Sequence, residues 1–485
     1  MPAWSPALSP GPLHRAATTG ARSGTAPRLP RGSAPTRAPD RSPRRFGSAP
    51  GPIRRARHRR QPRPPGRRCA APSGSPDCRT PAAYSYDRGE PANSSPPGRC
   101  AGNRAAPGPS RLPCLAASPT SFTREEQQLI SAAGRGDEVA FGRLLEPYRP
   151  ELLAHCYRML GSLHDAEDAL QEALVRAWRG LVRFEGRSSL RSWLYTIATN
   201  VSLNAIARRP KRVLPIDYGP AVDPHTPPGE PVVESVWLEP FPDEMLGLQD
   251  GHDAPEAGYE RREGIELAFI AALQHLPSNQ RAVLILREVL GFSAKECAEM
   301  LETTVASINS ALQRARAAVE ERVPEQSQQA TLRTLGDGKV RELVDRYVDA
   351  WERCDVDAFA AMLAEDATFA MPPLATWYRG REGIAAWAAG WPLSGDWRWR
   401  TVFTRANGQP ALAFYAWDPE QAGYLPFALN VLTLRGSQIS DVTAFVARSI
   451  EAADPEAYER WPEQPADAPR MIATFERFGL PDRLD

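Results

Sequence analysis

The chain has no apolar run approaching the roughly 18 residues that a membrane-spanning helix needs. Pro2, Pro6, Pro10 and Pro12 interrupt the start, where a secretory signal would place a basic stretch and then an apolar one. Neither insertion nor export is expected, and the cytoplasm is the expected location. Cysteine is sparse, with 7 in 485 residues, and no two form a CxxC pair. A zinc site and a disulfide framework are both unexpected on that ground. Cys156 and Cys297 fall on apolar helical faces and read as core thiols. Residues 1–120 contain no Lys, few large apolar side chains, 21 Arg, 24 of the 49 prolines and only 4 acidic residues, a net +17 that leaves the remainder near −16 against an overall +1. Such a segment buries too little surface to offset its ordering entropy, so it is expected to be disordered. It reads as a cationic arm for DNA or a protein partner, as a tail of no specific role, or as an over-extended start of the coding region. No Met lies between Met1 and Met159, so a later start would need another codon.

What is present is organised around residues 162–212. Leu170, Leu174, Ala177, Trp178 and Leu181 share one helical stripe, and Asp165, Asp168, Glu172, Arg176 and Arg179 form a polar stripe, acidic first and basic last. That order suits the helix dipole, so a plain surface helix is one reading. After a short Gly/Ser loop, Leu190, Trp193, Leu194, Ile197 and Val201 point inward from a second helix that ends in Arg208, Arg209, Pro210, Lys211 and Arg212.

The run DAEDALQEALVRAW followed by FEGRSSLRSWLYTIATN resembles region 2 of the extracytoplasmic-function sigma factors, promoter-reading subunits of bacterial RNA polymerase. The resemblance implies that Asp165, Asp168 and Glu172 dock on the clamp helices of the core polymerase. It places the loop that reads the −10 element at Gly186, Arg187, Ser188 and Ser189. A Gly-containing polar loop ahead of a helix suits an unstacked base, although Ser189 is also an expected N-cap. Trp193 is expected in the core and Tyr195 on a base. Asn200 and Asn204 suit base edges, and Arg208, Arg209, Lys211 and Arg212 suit phosphates.

Ahead of this stretch, Thr123 followed by acids reads as a helix start, two short helices are expected to split at residues 134–136, and residues 147–161 carry apolar residues at helical spacing. Behind it, residues 213–260 are Pro-rich and acidic and read as a linker. Its apolar WLEPF core is unusual for a tether, so Trp237, Leu238, Phe241 and Met245 are expected to dock; a WLEP-type motif here resembles sigma factors with a fused C-terminal domain. In residues 262–322, a capping box at Ser293 and Glu296, a short connection at 302–304 and the amphipathic run from Val305 give a helix-turn-helix plan whose turn lacks its common Gly. This part resembles sigma region 4. Lys295, Ser307, Asn309, Ser310, Gln313, Arg314 and Arg316 are the expected −35 contacts.

Residues 338–450 change texture: helices first, then strands expected at 367–371, 398–405, 411–417, 427–435 and 439–445, with a helix at 382–387. DAFAAMLAEDATFAMPP and YRGREGIAAW resemble the SnoaL-like, nuclear-transport-factor-like cone. Trp377, Tyr378, Trp387, Trp391, Trp397, Trp399, Tyr415 and Trp417 would line its pocket or make a plain core and a docking surface. Catalysis needs a placed acid and base; Asp366, Asp418 and Glu420 are there, but every His lies at 275 or earlier.

The expectation is therefore a multidomain chain. It has a disordered tail (1–120), two all-α domains (121–212 and 261–325, the second a helix-turn-helix) joined by an acidic linker (213–260), an α+β SnoaL-like cone (338–450) and a C-terminal tail (451–485) containing a short amphipathic helix. The expected function is that of a sigma factor, not an enzyme, regulated by its cone. Its expected partners are the polymerase core and promoter DNA, with a small-molecule ligand of the cone as a further candidate. No cofactor, metal or membrane is expected. The alternatives are a SnoaL-type enzyme fused to a DNA-binding module, and a one-component helix-turn-helix repressor.

Overall fold

Thr123 caps the first helix of the described chain, accepting from the Glu126 amide while the Glu126 carboxylate accepts from the Thr123 amide at 2.8 Å. In this computed structural model, residues 122–226, 236–246, 261–419, 421–446 and 474–485 are described. The expectations for the 1–120 tail, for Glu420 and for most of 451–485 lie outside them. Helices Arg124–Gly134, Glu138–Leu145, Arg149–Leu160, Leu163–Leu181 and Leu190–Ile206 make the first helical module. Its interior is the apolar stripe read from sequence, with Leu170, Ala177, Leu181, Leu190, Leu194 and Val201 all buried.

The second module contains helices Leu267–Gln274, Ser278–Leu284, Ala294–Met300 and Val305–Glu320, with a π-helical turn at Ile285–Val289. The capping box at Ser293 and Glu296 is present. The turn between the last two helices is closed by Glu302 with φ +50°, a left-handed residue at the place where glycine is common.

The C-terminal domain wraps helices Asp337–Glu352, Val356–Met362 and Arg381–Gly390 against a six-stranded sheet of order β2-β1-β6-β5-β4-β3. The strands are β1 Leu363–Ala370, β2 Trp377–Arg379, β3 Trp399–Ala406, β4 Gln409–Asp418, β5 Gly423–Arg435 and β6 Gln438–Val446. β1 and β6 are parallel; the other neighbours are antiparallel. The three-residue edge strand β2 was not expected, being too short to show alternation.

The sheet is buried on both faces. Along β4, Leu412 and Phe414 enter the cone's own core, whereas Ala411, Ala413 and Tyr415 join the core shared with the helical modules. A strand covered on both faces reads as a continuous apolar run, as Ala411 to Trp417 does. The eight aromatics expected inside the cone accordingly divide. Tyr378, Trp387 and Trp399 are buried in it, with Tyr378 stacked on Trp387 at 4.8 Å and Trp397 on Trp399 at 5.2 Å. Tyr415 faces the other way, against Phe475 at 5.2 Å, and the Trp377 indole donates to the Gly219 carbonyl at 2.8 Å in the linker.

Candidate polymerase and promoter interface

The three acids of the expected interface lie on the Leu163–Leu181 helix, and the basic run 208–212 follows the Leu190–Ile206 helix. Ser162 caps the former, its hydroxyl accepting from the Asp165 amide at 3.1 Å. Asp168 and Glu172 project from it, exposed, and Glu172 pairs with Arg176 at 2.7 Å. Asp165 does not project with them. It is 5 % exposed and holds Arg212 at 2.6 Å as well as Arg209. Position 165 lies three residues before Asp168, yet the chain beyond the Leu190–Ile206 helix folds back across this helix start and covers it. The expectation of an outward acidic stripe is thus corrected at Asp165, whose carboxylate is an internal counter-ion.

The same fold-back engages the basic end. Arg209 also reaches Asp168 at 3.8 Å, and Arg212 donates to the Trp237 carbonyl at 2.9 Å and lies 3.7 Å from Glu239. Arg208 and Lys211 remain exposed. Trp237 and Glu239 belong to the WLEPF segment, which docks as expected: Trp237, Leu238 and Phe241 are buried. It pairs with the chain at Val213 through two backbone hydrogen bonds, and Glu239 accepts from the His164 amide at 3.1 Å, a second cap on the acidic helix. Gly161 permits this approach, since a Cβ there would stand 2.5 Å from the Leu238 side chain and φ is +70°.

Tyr195 is also corrected. It is fully buried, its hydroxyl donating to Glu151 at 3.2 Å and its ring edge-on to His155 at 5.2 Å and to Phe292 of the second module at 5.4 Å. Helical arithmetic explains this: Ala198, Thr199 and Ser202, three, four and seven residues on, are all buried on the same face. Trp193, expected in the core, is instead half-buried against Phe184 at 5.0 Å, beside the loop that holds Arg187, Ser188 and Ser189. Gly186 there has φ +68° with Phe122 in contact. Ser189 caps its helix, as read from sequence. Asn200 and Asn204 are exposed one turn apart.

The second module keeps its expected face outward. Lys295, Ser307, Asn309, Ser310, Gln313, Arg314 and Arg316 are all exposed, while Ile308, Ala311, Leu312 and Ala315 are buried beneath them. Arg316 pairs with Glu288 at 2.6 Å, and Lys295 lies 4.0 Å from Glu299.

One residue that the sequence reading did not single out joins all three parts. Asn407 and Gly408 form the tight turn between β3 and β4, with φ +56° and +70°. The Asn407 side chain is fully buried: its amide donates to the Tyr157 hydroxyl at 2.9 Å and the Ile265 carbonyl at 2.8 Å, and its oxygen accepts from the Phe241 amide at 2.9 Å. Those partners lie in the first module, the second module and the linker. Gly408 donates to Asp243 at 2.7 Å, and Gln409 accepts from the Leu267 amide at 3.0 Å. An Asn-Gly pair between two apolar runs is a strong hairpin signal and could have located this turn, though not its partners. Further contacts hold the modules together directly: Arg158 donates to the Gly264 carbonyl at 2.8 Å, and Arg281 donates to the Met159 carbonyl. Arg477, in the tail, pairs with Glu167 at 3.1 Å.

The chain matches three family models: Sigma-70 region 2 over residues 144–212, Sigma-70 region 4 over 266–319 and the SnoaL-like domain over 344–459. It is 40% identical over 356 residues to the ECF RNA polymerase sigma factor SigG of Mycobacterium tuberculosis, covering 72% of this chain and 85% of that one. The RNA polymerase sigma-H factor of Pseudomonas aeruginosa is 30% identical over 196 residues, 40% of this chain and 92% of its own. Among solved structures, the extracytoplasmic function sigma factor SigJ of M. tuberculosis aligns with a TM-score of 0.40 at 20% identity, over 62% of this chain and 95% of that one.

Proposed function

Because the chain belongs to the extracytoplasmic-function RNA polymerase sigma factors, and so directs promoter-specific transcription initiation, we propose a division of labour among its faces. Asp168 and Glu172 meet the polymerase core. Arg187, Ser188, Ser189, Asn200, Asn204 and Arg208 meet the −10 element, with Arg209 joining them once it is released from Asp165. Lys295, Ser307, Asn309, Ser310, Gln313, Arg314 and Arg316 meet the −35 element. Exposed short polar side chains early in the Val305–Glu320 helix suit base edges in a major groove, and the arginines behind them suit phosphate. Trp193, beside the −10 loop, takes the place first given to Tyr195 as the aromatic platform for a base.

The C-terminal domain acts as a clasp. The observation that carries this reading is Asn407, one buried side chain bonded to both DNA-reading modules and to the linker. Reading two promoter elements at once requires the modules to separate to the promoter's spacing, so the clasp opens before or during polymerase binding. Of the acids first considered, Asp366 is exposed and paired with Arg435, Asp418 accepts from the Gln421 amide in a turn, and Glu420 lies outside the described residues. A small-molecule effector would act from the aromatic interior, where the Trp387 indole N–H is buried without a hydrogen-bond partner.

The test is run-off transcription with bacterial core polymerase and pooled genomic DNA, sequencing the RNA 5′ ends. Start sites preceded by a shared −35/−10 pair are expected, and Asp168→Arg is expected to abolish them while leaving the fold intact. Unaltered start sites with Asp168→Arg would remove this helix from the polymerase interface.

A further inference from the structure

A cleft of about 360 Å³ opens between the two helical modules, beside the fold-back that joins Asp165 to Arg209 and Arg212. Its cations come from both sides: Arg209, Lys211 and Arg212 from the first module, Arg281 from the second. Only one carboxylate, Asp165, lines it, and the two arginines of the first module already share that group. Among the described residues, neither Lys211 nor Arg281 forms an ion pair, and Asp217 acts on Lys211 only from outside the cleft lining.

Arg281 is 5 % exposed, and each of its hydrogen bonds goes to a neutral acceptor: the carbonyls of Met159, Gln274 and Leu276 and the Gln274 side-chain oxygen. Its Nε is buried with no partner. Burial pushes the guanidinium down to about 10, and no described carboxylate forms an ion pair with it. Lys211 also forms no ion pair among the described residues; its ammonium donates to Nδ1 of His275 at 2.7 Å. Asp217, the nearest acidic influence, is engaged by His275 Nε2 at 3.1 Å and by Arg322 at 3.9 Å. Burial lowers the Lys211 pKa most; Asp217 raises it, and Arg322 and then Arg281 lower it. A buried cation is expected to have an anionic partner, because desolvation is costly without one. Arg281 is such a cation, and the exposed Lys211 adds a second charge to the same cleft with no ion pair among the described residues.

We propose that this cleft binds a small phosphate-bearing anion, held by Lys211 and Arg281 with Arg209 at its mouth. A cleft of this size suits a ligand of pyrophosphate to nucleotide dimensions, and phosphate accepts both a point charge and a guanidinium fork. The consequence follows from placement. An anion here bridges the two modules, so it favours their packed arrangement by binding that state alone. It also occupies Arg209 and Lys211, which face promoter phosphates in the open state. The ligand is thus an inhibitor of promoter engagement, acting at the module junction and not in the aromatic cone.

Phosphate could reach these residues from a free anion or from DNA, and calorimetric titration of the full chain separates the two. Pyrophosphate in low-salt buffer is the first probe, and a duplex of unrelated sequence is the second. Saturable one-to-one binding of pyrophosphate is expected, with a rise in melting temperature and at least a tenfold loss of affinity in Lys211→Met. Lys211 is exposed, so this variant is expected to melt as the parent does without ligand; Arg281→Met, which removes internal hydrogen bonds, is interpretable only if it also folds. Pyrophosphate binding that is undiminished in Lys211→Met would overturn the proposal, as the anion would sit elsewhere. Absence of pyrophosphate binding, with duplex binding weakened in Lys211→Met, would also overturn it and assign the cleft to the DNA track alone. These readouts need no polymerase, so their failure leaves the sigma-factor assignment standing.

Discussion

The two DNA-reading modules present their cations in opposite ways. In the second, Arg314 and the polar residues before it stand outward on a helix whose apolar side alone is covered. In the first, Arg209 and Arg212 turn back onto Asp165, and the linker holds Arg212 through the Trp237 carbonyl and Glu239. The face proposed for the −35 element is carried by the Val305–Glu320 helix, with Lys295 on the neighbouring Ala294–Met300 helix, over the second module's own core. The face proposed for the −10 element includes Arg208 and Arg209, and the stretch that carries them is tied to Asp165 and, through Arg212, to the linker.

The largest expected effect comes from removing the internal counter-ion. Asp165→Ala leaves buried Arg212 with only the longer Glu239 contact at 3.7 Å and removes the partner of Arg209, which costs about 3 kcal/mol; urea denaturation measures it. The same change at the exposed Glu172 is expected to alter stability by less than about 0.5 kcal/mol. Equal effects at the two positions would erase the contrast between inward and outward acids.

Next is the clasp. Asn407→Ala strips three hydrogen bonds from buried groups and places Ala at a positive φ, for a loss of about 2–3 kcal/mol. Because the lost bonds tie modules together, transcription per folded molecule is expected to rise even as the melting temperature falls. A variant that lost both stability and activity in proportion would make Asn407 a core residue and no clasp.

On the other side of the comparison, Arg314→Ala is expected to weaken −35 binding by about 1–3 kcal/mol, with the salt dependence reduced by about one phosphate contact, and to leave stability unchanged. Gel-shift titrations at several salt concentrations measure both. A matching loss of stability would mean that the outward face is as entangled as the inward one.

The smallest effect is a pH dependence at the junction. Glu266, against Gln329 of the next segment, has its pKa pushed up to about 7, chiefly by burial. Its folded value lies above the unfolded one, so its contribution is present at low pH and is lost as pH rises through about 7. Buried His155 has the opposite sign: burial lowers it to about 3, so its contribution disappears as pH falls below its ordinary value of 6.5. Glu266→Gln is expected to flatten the melting temperature between about pH 4.5 and 7 by a few degrees. An unchanged profile would show that Glu266 does not titrate there.

The helices, their caps and most of the strands were legible because they follow from periodicity and local chemistry. The capping boxes at Thr123 and Ser293 and the exposed face from Ser307 to Arg316 required no tertiary knowledge. Asp165 and Tyr195 were misread for a shared reason: each sits on a helix face whose exposure depends on a distant segment, residues 209–212 for one and Phe292 for the other. Tyr195 was partly recoverable, since its i+3, i+4 and i+7 neighbours are small and buried. Asn407 was not, because a turn residue's bonding across 166 and 250 positions leaves no local trace. The continuous apolar run of β4 was the available hint that the sheet has a second covered face.

The central claim is that the β3–β4 turn clasps the modules and lets go when the polymerase is engaged. Hydrogen exchange tests it most directly, followed in peptides spanning 236–246 and 401–412 with and without core polymerase. The account predicts slow exchange of the Phe241 and Asn407 amides in the free chain, and exchange faster by tenfold or more in the polymerase complex. Protection that persists unchanged in the complex would contradict it, and would make the C-terminal domain a fixed part of the promoter-reading machine.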